Sequence, residues 1–238
     1  VLAIMGIYEY MKCVSHKFKP ISWVGYVAAA SIALLHIIPA GFIIQYLALV
    51  LLSVMAILFM HVVFSDMKIN FADIAMTLFG IVYIVGFFSF VALLYGYEEN
   101  GKNLGKFYIA YLFLATWGSD IFAFLIGSRF GKHKFSKISP KKSIEGCIGG
   151  TLGSVIIALI YTLAINKFAG LDISYIYIAL IGFILSILSQ IGDLSASSIK
   201  RTVGIKDFGN LIPGHGGMID RIDSIIFIAP FAYFLLTM

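Results

Sequence analysis

Residues 174–196 read Ser-Tyr-Ile-Tyr-Ile-Ala-Leu-Ile-Gly-Phe-Ile-Leu-Ser-Ile-Leu-Ser-Gln-Ile-Gly-Asp-Leu-Ser-Ala. Residues 197–223 continue Ser-Ser-Ile-Lys-Arg-Thr-Val-Gly-Ile-Lys-Asp-Phe-Gly-Asn-Leu-Ile-Pro-Gly-His-Gly-Gly-Met-Ile-Asp-Arg-Ile-Asp. The first stretch is long and apolar enough for a helix to cross a hydrocarbon core, which takes about 20 residues. The second is a dense polar island that ends where another apolar run begins. A chain in which such runs recur is an all-α, polytopic transmembrane helix bundle.

The composition agrees. Of 238 residues, 61% are hydrophobic and 12% charged, against about 45–50% and about 25% in soluble domains. A β-barrel would show short alternating segments, and the apolar runs are continuous. Full spans are expected at 21–38, 42–63, 74–95, 107–128, 147–166, 174–196 and 224–238. That makes seven, preceded by a helix remnant at 1–11. The remnant is too short to cross, so a start before Val1 is expected. Residues 1–238 then form a single integral-membrane domain.

Loop charge gives the orientation. Lys102, Lys106 and Lys167 fall in one set of loops, and the other 14 of the 17 Lys and Arg fall in the opposite set. The rule that cytoplasmic loops carry the excess of Lys and Arg assigns the second set to the cytoplasm. A net charge of +5 is therefore a topology signal, and no nucleic-acid partner is expected. Cys13 and Cys147 read as free thiols, with no spacing suggestive of zinc.

Carboxylates within spans are costly and point to function. Asp193 lies four residues from the expected cytoplasmic end of its span, roughly 6 Å along the axis. Asp120 lies about nine residues from its own cytoplasmic end, roughly 13 Å deep. Asp220 and Asp223 share a face if the last span starts as a helix. Oxygen-only donors suit a hard cation such as Mg²⁺. The competing structural readings are an ion pair of Asp193 with Arg201 or Arg221, and stabilisation of a helix N-terminus by Asp220 and Asp223.

Pro213-Gly214-His215-Gly216-Gly217 is a permissive turn whose amides can approach an anion. Ser139-Pro140-Lys141-Lys142-Ser143-Ile144-Glu145-Gly146 is a basic segment suited to a phosphate, or simply to anionic headgroups. Gly146, Gly149, Gly150 and Gly153 form a small-residue face for close helix packing, or for a backbone approach to a phosphate. Gly127 to Lys132 falls one residue short of a P-loop.

The island resembles the signature of the phosphatidate cytidylyltransferase (CDP-diacylglycerol synthase) family: Ser197, Lys200-Arg201, Lys206-Asp207, Gly209, Pro213, His215-Gly216-Gly217 and Asp220-Arg221-x-Asp223. Trp117, Asp120 and the segment from Ser139 to Gly146 fit the same family.

The resemblance implies transfer of the cytidylyl group of CTP to phosphatidic acid, giving CDP-diacylglycerol and pyrophosphate in phospholipid biosynthesis. It implies metal held by Asp193 and Asp220 with Asp223 assisting. It gives catalytic roles to Lys200, Arg201, Lys206, Asp207, His215 and Arg221, and binding roles to Ser197, Lys141, Lys142, Gly216 and Gly217. The cofactor is expected to be Mg²⁺, as two divalent ions or one divalent and one other cation. Expected partners are CTP, phosphatidic acid and the bilayer, with a homodimer allowed.

The expected location is a bacterial-type inner membrane, with the active site facing the cytoplasm. A CTP-dependent enzyme on another lipid, such as an archaeal ether-lipid cytidylyltransferase or a polyprenol kinase, is the alternative. An ion-coupled transporter using Asp120 and Asp193 is a more distant one, because the polar residues gather on one side.

Overall fold

The computed structural model describes the chain except residues 67, 100, 137 and 211–215, and except the side chains of His36 and Ala40. It is helical almost throughout. In chain order the helices are α1 (Leu2–Val14), α2 (Ser22–Ser31), α3 (Ile43–Phe64), α4 (Phe71–Gly80), α5 (Phe87–Tyr95), α6 (Gly105–Phe130), α7 (Ile144–Ala169), α8 (Tyr175–Thr202) and α9 (Ile219–Thr237). A π-helical segment at Ile81–Gly86 joins α4 to α5. A two-stranded hairpin, Glu98–Glu99 with Lys102–Asn103, joins α5 to α6.

Among the described residues, five helical stretches are long and apolar enough to cross a membrane: Ile43–Phe64, Phe71–Tyr95, Gly105–Phe130, Ile144–Ala169 and Tyr175–Thr202. They match five of the seven expected spans. The expected first span is instead α2, which tightens into a 3₁₀ turn over Ile32–His36 ahead of Pro39. The expected last span is α9, whose first turns carry Asp220, Arg221 and Asp223 and leave a shorter apolar part.

The chain divides into two units, Val1–Ser89 with Lys200–Arg221, and Phe90–Ile199 with Ile222–Met238. In the first unit, Ile7, Tyr10, Met11, Val14 and Ile84 are buried. Asp73 organises its polar joints. It forms a capping box with Asn70, each side chain accepting the other's backbone N–H at 2.9 Å. It also accepts the Lys19 N–H at 2.8 Å. One carboxylate thus starts α4 and anchors the segment before α2, satisfying amides that would otherwise lack acceptors. Helix α3 buries only Val54 and Leu58, as suits a helix whose other faces meet lipid.

The second unit is built on α6 and α7. A Cβ added at Gly150 would lie 2.7 Å from the Ser119 carbonyl oxygen of α6. The expected small-residue face therefore packs helix against helix, and glycine is what lets the backbones meet. Polar side chains tie the same bundle together. Ser119 and Ser186 hydroxyls lie 2.8 Å apart, Ser154 donates to the Ala115 carbonyl, and Gln190 donates to the Cys147 carbonyl and to Thr151 Oγ1. Around them, Leu94, Tyr111, Leu112, Ile181, Leu185 and Ile228 form the apolar core.

Candidate active site

The second unit holds a cavity of about 370 Å³ lined by Asp120, Ser139, Lys141, Lys142, Ser143 and Gln190, among others. That volume falls within the about 300–1,000 Å³ typical of small-molecule sites. The basic segment is folded back to form its rim. Phe135 N–H donates to the Lys142 carbonyl and Ile144 N–H to the His133 carbonyl, both at 2.9 Å. Glu145 accepts from His133 Nδ1 at 2.7 Å. Ser143 caps α7 by accepting the Gly146 N–H. These bonds hold Lys141 and Lys142 at the cavity.

Lys142 Nζ lies 2.5 Å from Asp193 Oδ2, with both side chains partly exposed. Lys142 is therefore the partner of Asp193, in place of Arg201 or Arg221. Asp120 interacts electrostatically with both Lys142 and Asp193. Asp120 thus belongs to the same charged cluster. Two carboxylates and two ammonium groups thus stand around hydroxyls and an amide, groups of the kinds that bind phosphates and hard cations.

Helix α8 runs to Thr202, beyond the expected end of its span at 196. Asp193, Ser197, Lys200 and Arg201 all lie on this helix, and the loop begins only after it. Asp193 is accordingly further inside its helix than the sequence suggests.

In the first unit, Lys200 Nζ lies 2.6 Å from Asp220 Oδ1, with the side chains only 10% and 8% exposed. Asp220 Oδ2 accepts the Phe208 N–H at 2.9 Å and the Gly217 N–H at 3.0 Å. Lys200 also sits over the Phe208 ring, 5.2 Å from its centre. Asp220 therefore ties the backbone at Phe208 and Gly217 to Lys200. Gly216 has φ +83°, a conformation that glycine adopts without strain.

Lys206, Asp207 and Arg221 are exposed. Arg201 is also exposed and donates to the Ile205 carbonyl. Asp223 is buried, and its Oδ1 accepts the Ser224 N–H at 2.7 Å. Pro213, Gly214 and the expected catalytic His215 lie outside the described residues.

Among the described residues, no three His, Cys, Asp or Glu side chains gather closely enough to hold a metal ion. The donor chemistry still suits one. Asp193 and Asp220 offer oxygen only, and each carboxylate is already paired with a lysine ammonium, which a bound cation would have to displace or share. Such oxygens suit Mg²⁺.

Glu9 was not among the residues singled out from sequence. It is 1% exposed, and its carboxylate accepts the Met218 N–H at 2.8 Å and the Ile219 N–H at 2.9 Å. A lone carboxylate in the apolar run 1–11 is the signal that pointed to Asp120 and Asp193, and it applies equally here.

The Cytidylyltransferase family model matches residues 1–238. A phosphatidate cytidylyltransferase of Staphylococcus aureus (strain COL) is 35% identical over 242 residues, covering 99% of this chain and 87% of that protein. One from Staphylococcus haemolyticus is 37% identical over 188 residues, 78% of this chain and 68% of that protein. One from Bacillus subtilis (strain 168) is 41% identical over 162 residues, 65% of this chain and 59% of that protein, so that match spans less than two thirds of the relative's length. With the family model matching from the first residue to the last, and acidic and basic side chains paired within an apolar helical chain, this chain belongs to the cytidylyltransferase family.

Proposed function

We propose that the chain is a phosphatidate cytidylyltransferase, which transfers the cytidylyl group of CTP to phosphatidic acid and releases pyrophosphate. The observation that carries this reading is the Lys142–Asp193 pair beside a polar cavity in an otherwise apolar helical unit. The family match and the relatives' shared name support it.

A phosphate oxygen of phosphatidic acid attacks the α-phosphorus of CTP in line. The new P–O bond forms as the bond to the β-phosphate bridging oxygen breaks, and pyrophosphate leaves with that electron pair. Catalysis of such a transfer is mainly alignment and charge neutralisation. Lys141 and Lys142 neutralise phosphate oxygens at the cavity. Ser139 and Ser143 supply hydroxyl donors there. Lys200, Arg201, Lys206 and Arg221 add positive charge along the signature segment, and Ser197, Gly216 and Gly217 contribute polar or backbone contacts. Asp207 and His215 remain assigned with them by family resemblance.

By family resemblance Asp193 and Asp220 are each candidate Mg²⁺ ligands, with Asp223 assisting and Asp120 adding negative charge beside Asp193. Bound there, the metal would neutralise phosphate charge and orient the reacting groups. The lysine-rich loops favour a cytoplasmic site, where CTP is available, while the acyl chains stay in lipid.

The test is direct. Purified protein in lipid vesicles, given labelled CTP, phosphatidic acid and Mg²⁺, is expected to yield labelled CDP-diacylglycerol and pyrophosphate. Product with an ether-lipid phosphate or a polyprenol but none with phosphatidic acid would reassign the acceptor. No labelled lipid at all from inserted protein would overturn the reading.

A further inference from the structure

We infer that Glu9 is a positioning residue for the reaction, holding the start of α9 so that Asp220 meets Lys200. This rests on the reading above that Asp220 and Lys200 serve the transfer.

A helix leaves its first amides without partners inside the helix. At α9 three successive amides are taken by two carboxylates. Gly217 N–H goes to Asp220 Oδ2, Met218 N–H to Glu9 Oε1 and Ile219 N–H to Glu9 Oε2. Neither Gly217 nor Met218 has a polar side chain able to cap the helix locally. The acceptor comes instead from α1, some 210 residues earlier in the chain.

Glu9 has no ion pair with a lysine or arginine among the described residues. Its compensation is the two hydrogen bonds and the partial positive charge of the α9 N-terminus. Burying a carboxylate is costly unless such bonds are made well, so the contact holds both partners in one geometry. Two glycines make room for it. A Cβ at Gly209 would fall 2.8 Å from Glu9 Oε1, and one at Gly217 would fall 2.6 Å from Oε2. Gly209 and Gly217 therefore pack directly against this carboxylate. Asp220 follows directly on Ile219, whose amide Glu9 holds. A shift of that turn moves Asp220 relative to Lys200.

The test compares Glu9→Gln with the unsubstituted protein in vesicles containing phosphatidic acid. Glutamine keeps the size but has one acceptor oxygen, so one α9 amide faces an NH₂ group. The expected result is a kcat lower by roughly tenfold to a hundredfold. KM for phosphatidic acid stays within about twofold, because Glu9 does not line the cavity. Amide hydrogen exchange at Met218 and Ile219 becomes faster, while the melting temperature changes little.

Gly209→Ala keeps the carboxylate but crowds it, and is expected to show the same selective loss of kcat. An unchanged kcat in either folded variant overturns the proposal. So does loss of folding in both, which would make Glu9 a stability element only. No product from the unsubstituted protein removes the reaction and this role together, whereas equal product from both proteins removes the role alone.

Discussion

Lys142 is paired with Asp193 at the cavity. Lys142→Ala removes the ammonium that would face a phosphate and leaves Asp193 without its cation. The expected outcome is a fall in kcat/KM of about a hundredfold, measured by CDP-diacylglycerol formation, with the protein still inserted. Lys106, which is exposed, holds its ammonium 5.1 Å from the centre of the Phe107 ring and does not line the cavity. Lys106→Ala is the matched control and should retain normal turnover.

At the scale of elements, the contact between α6 and α7 sets how the cavity residues meet, because Asp120 lies on one helix and the basic segment leads into the other. The backbone approach at Gly150 leaves no room for a methyl group beside the Ser119 carbonyl. Gly150→Ala forces the helices apart and should destabilise the protein by about 1–3 kcal/mol. A lowered midpoint in a thermal melt, in detergent or nanodiscs, checks this. An unchanged midpoint would mean that the helices do not pack as closely as described.

At the scale of the whole molecule, the lysine and arginine bias predicts which loops meet the cytoplasm. Single cysteines at Lys134 and Lys102, in a background lacking Cys13 and Cys147, give a direct readout. Lys134→Cys should react with an impermeant thiol reagent only when the cytoplasmic face is exposed, and Lys102→Cys only from the opposite face. Both positions are exposed. Labelling of both from one side would remove the orientation, and with it the argument that the site faces cytosolic CTP.

The sequence by itself determined the membrane-helical class, because hydrophobic length and loop charge are sums over local residues that need no knowledge of contacts. It also marked the acidic and basic residues of the segment from Asp193 to Asp223, since polar groups stand out where lipid makes them costly. The charge at α9's start and the tightening of α2 blurred the span count, because both helices fall short of a plain apolar run.

What only the tertiary structure decided is pairing. Asp193 meets Lys142 and Asp220 meets Lys200, whereas the sequence pointed to Arg201 or Arg221 for Asp193 and to a metal or a helix start for Asp220. Glu9 reaches the amides of Met218 and Ile219 across most of the chain's length. Such choices depend on which helix faces close together, and a hydrogen bond made over a few ångströms leaves no trace in the spacing of the residues that share it.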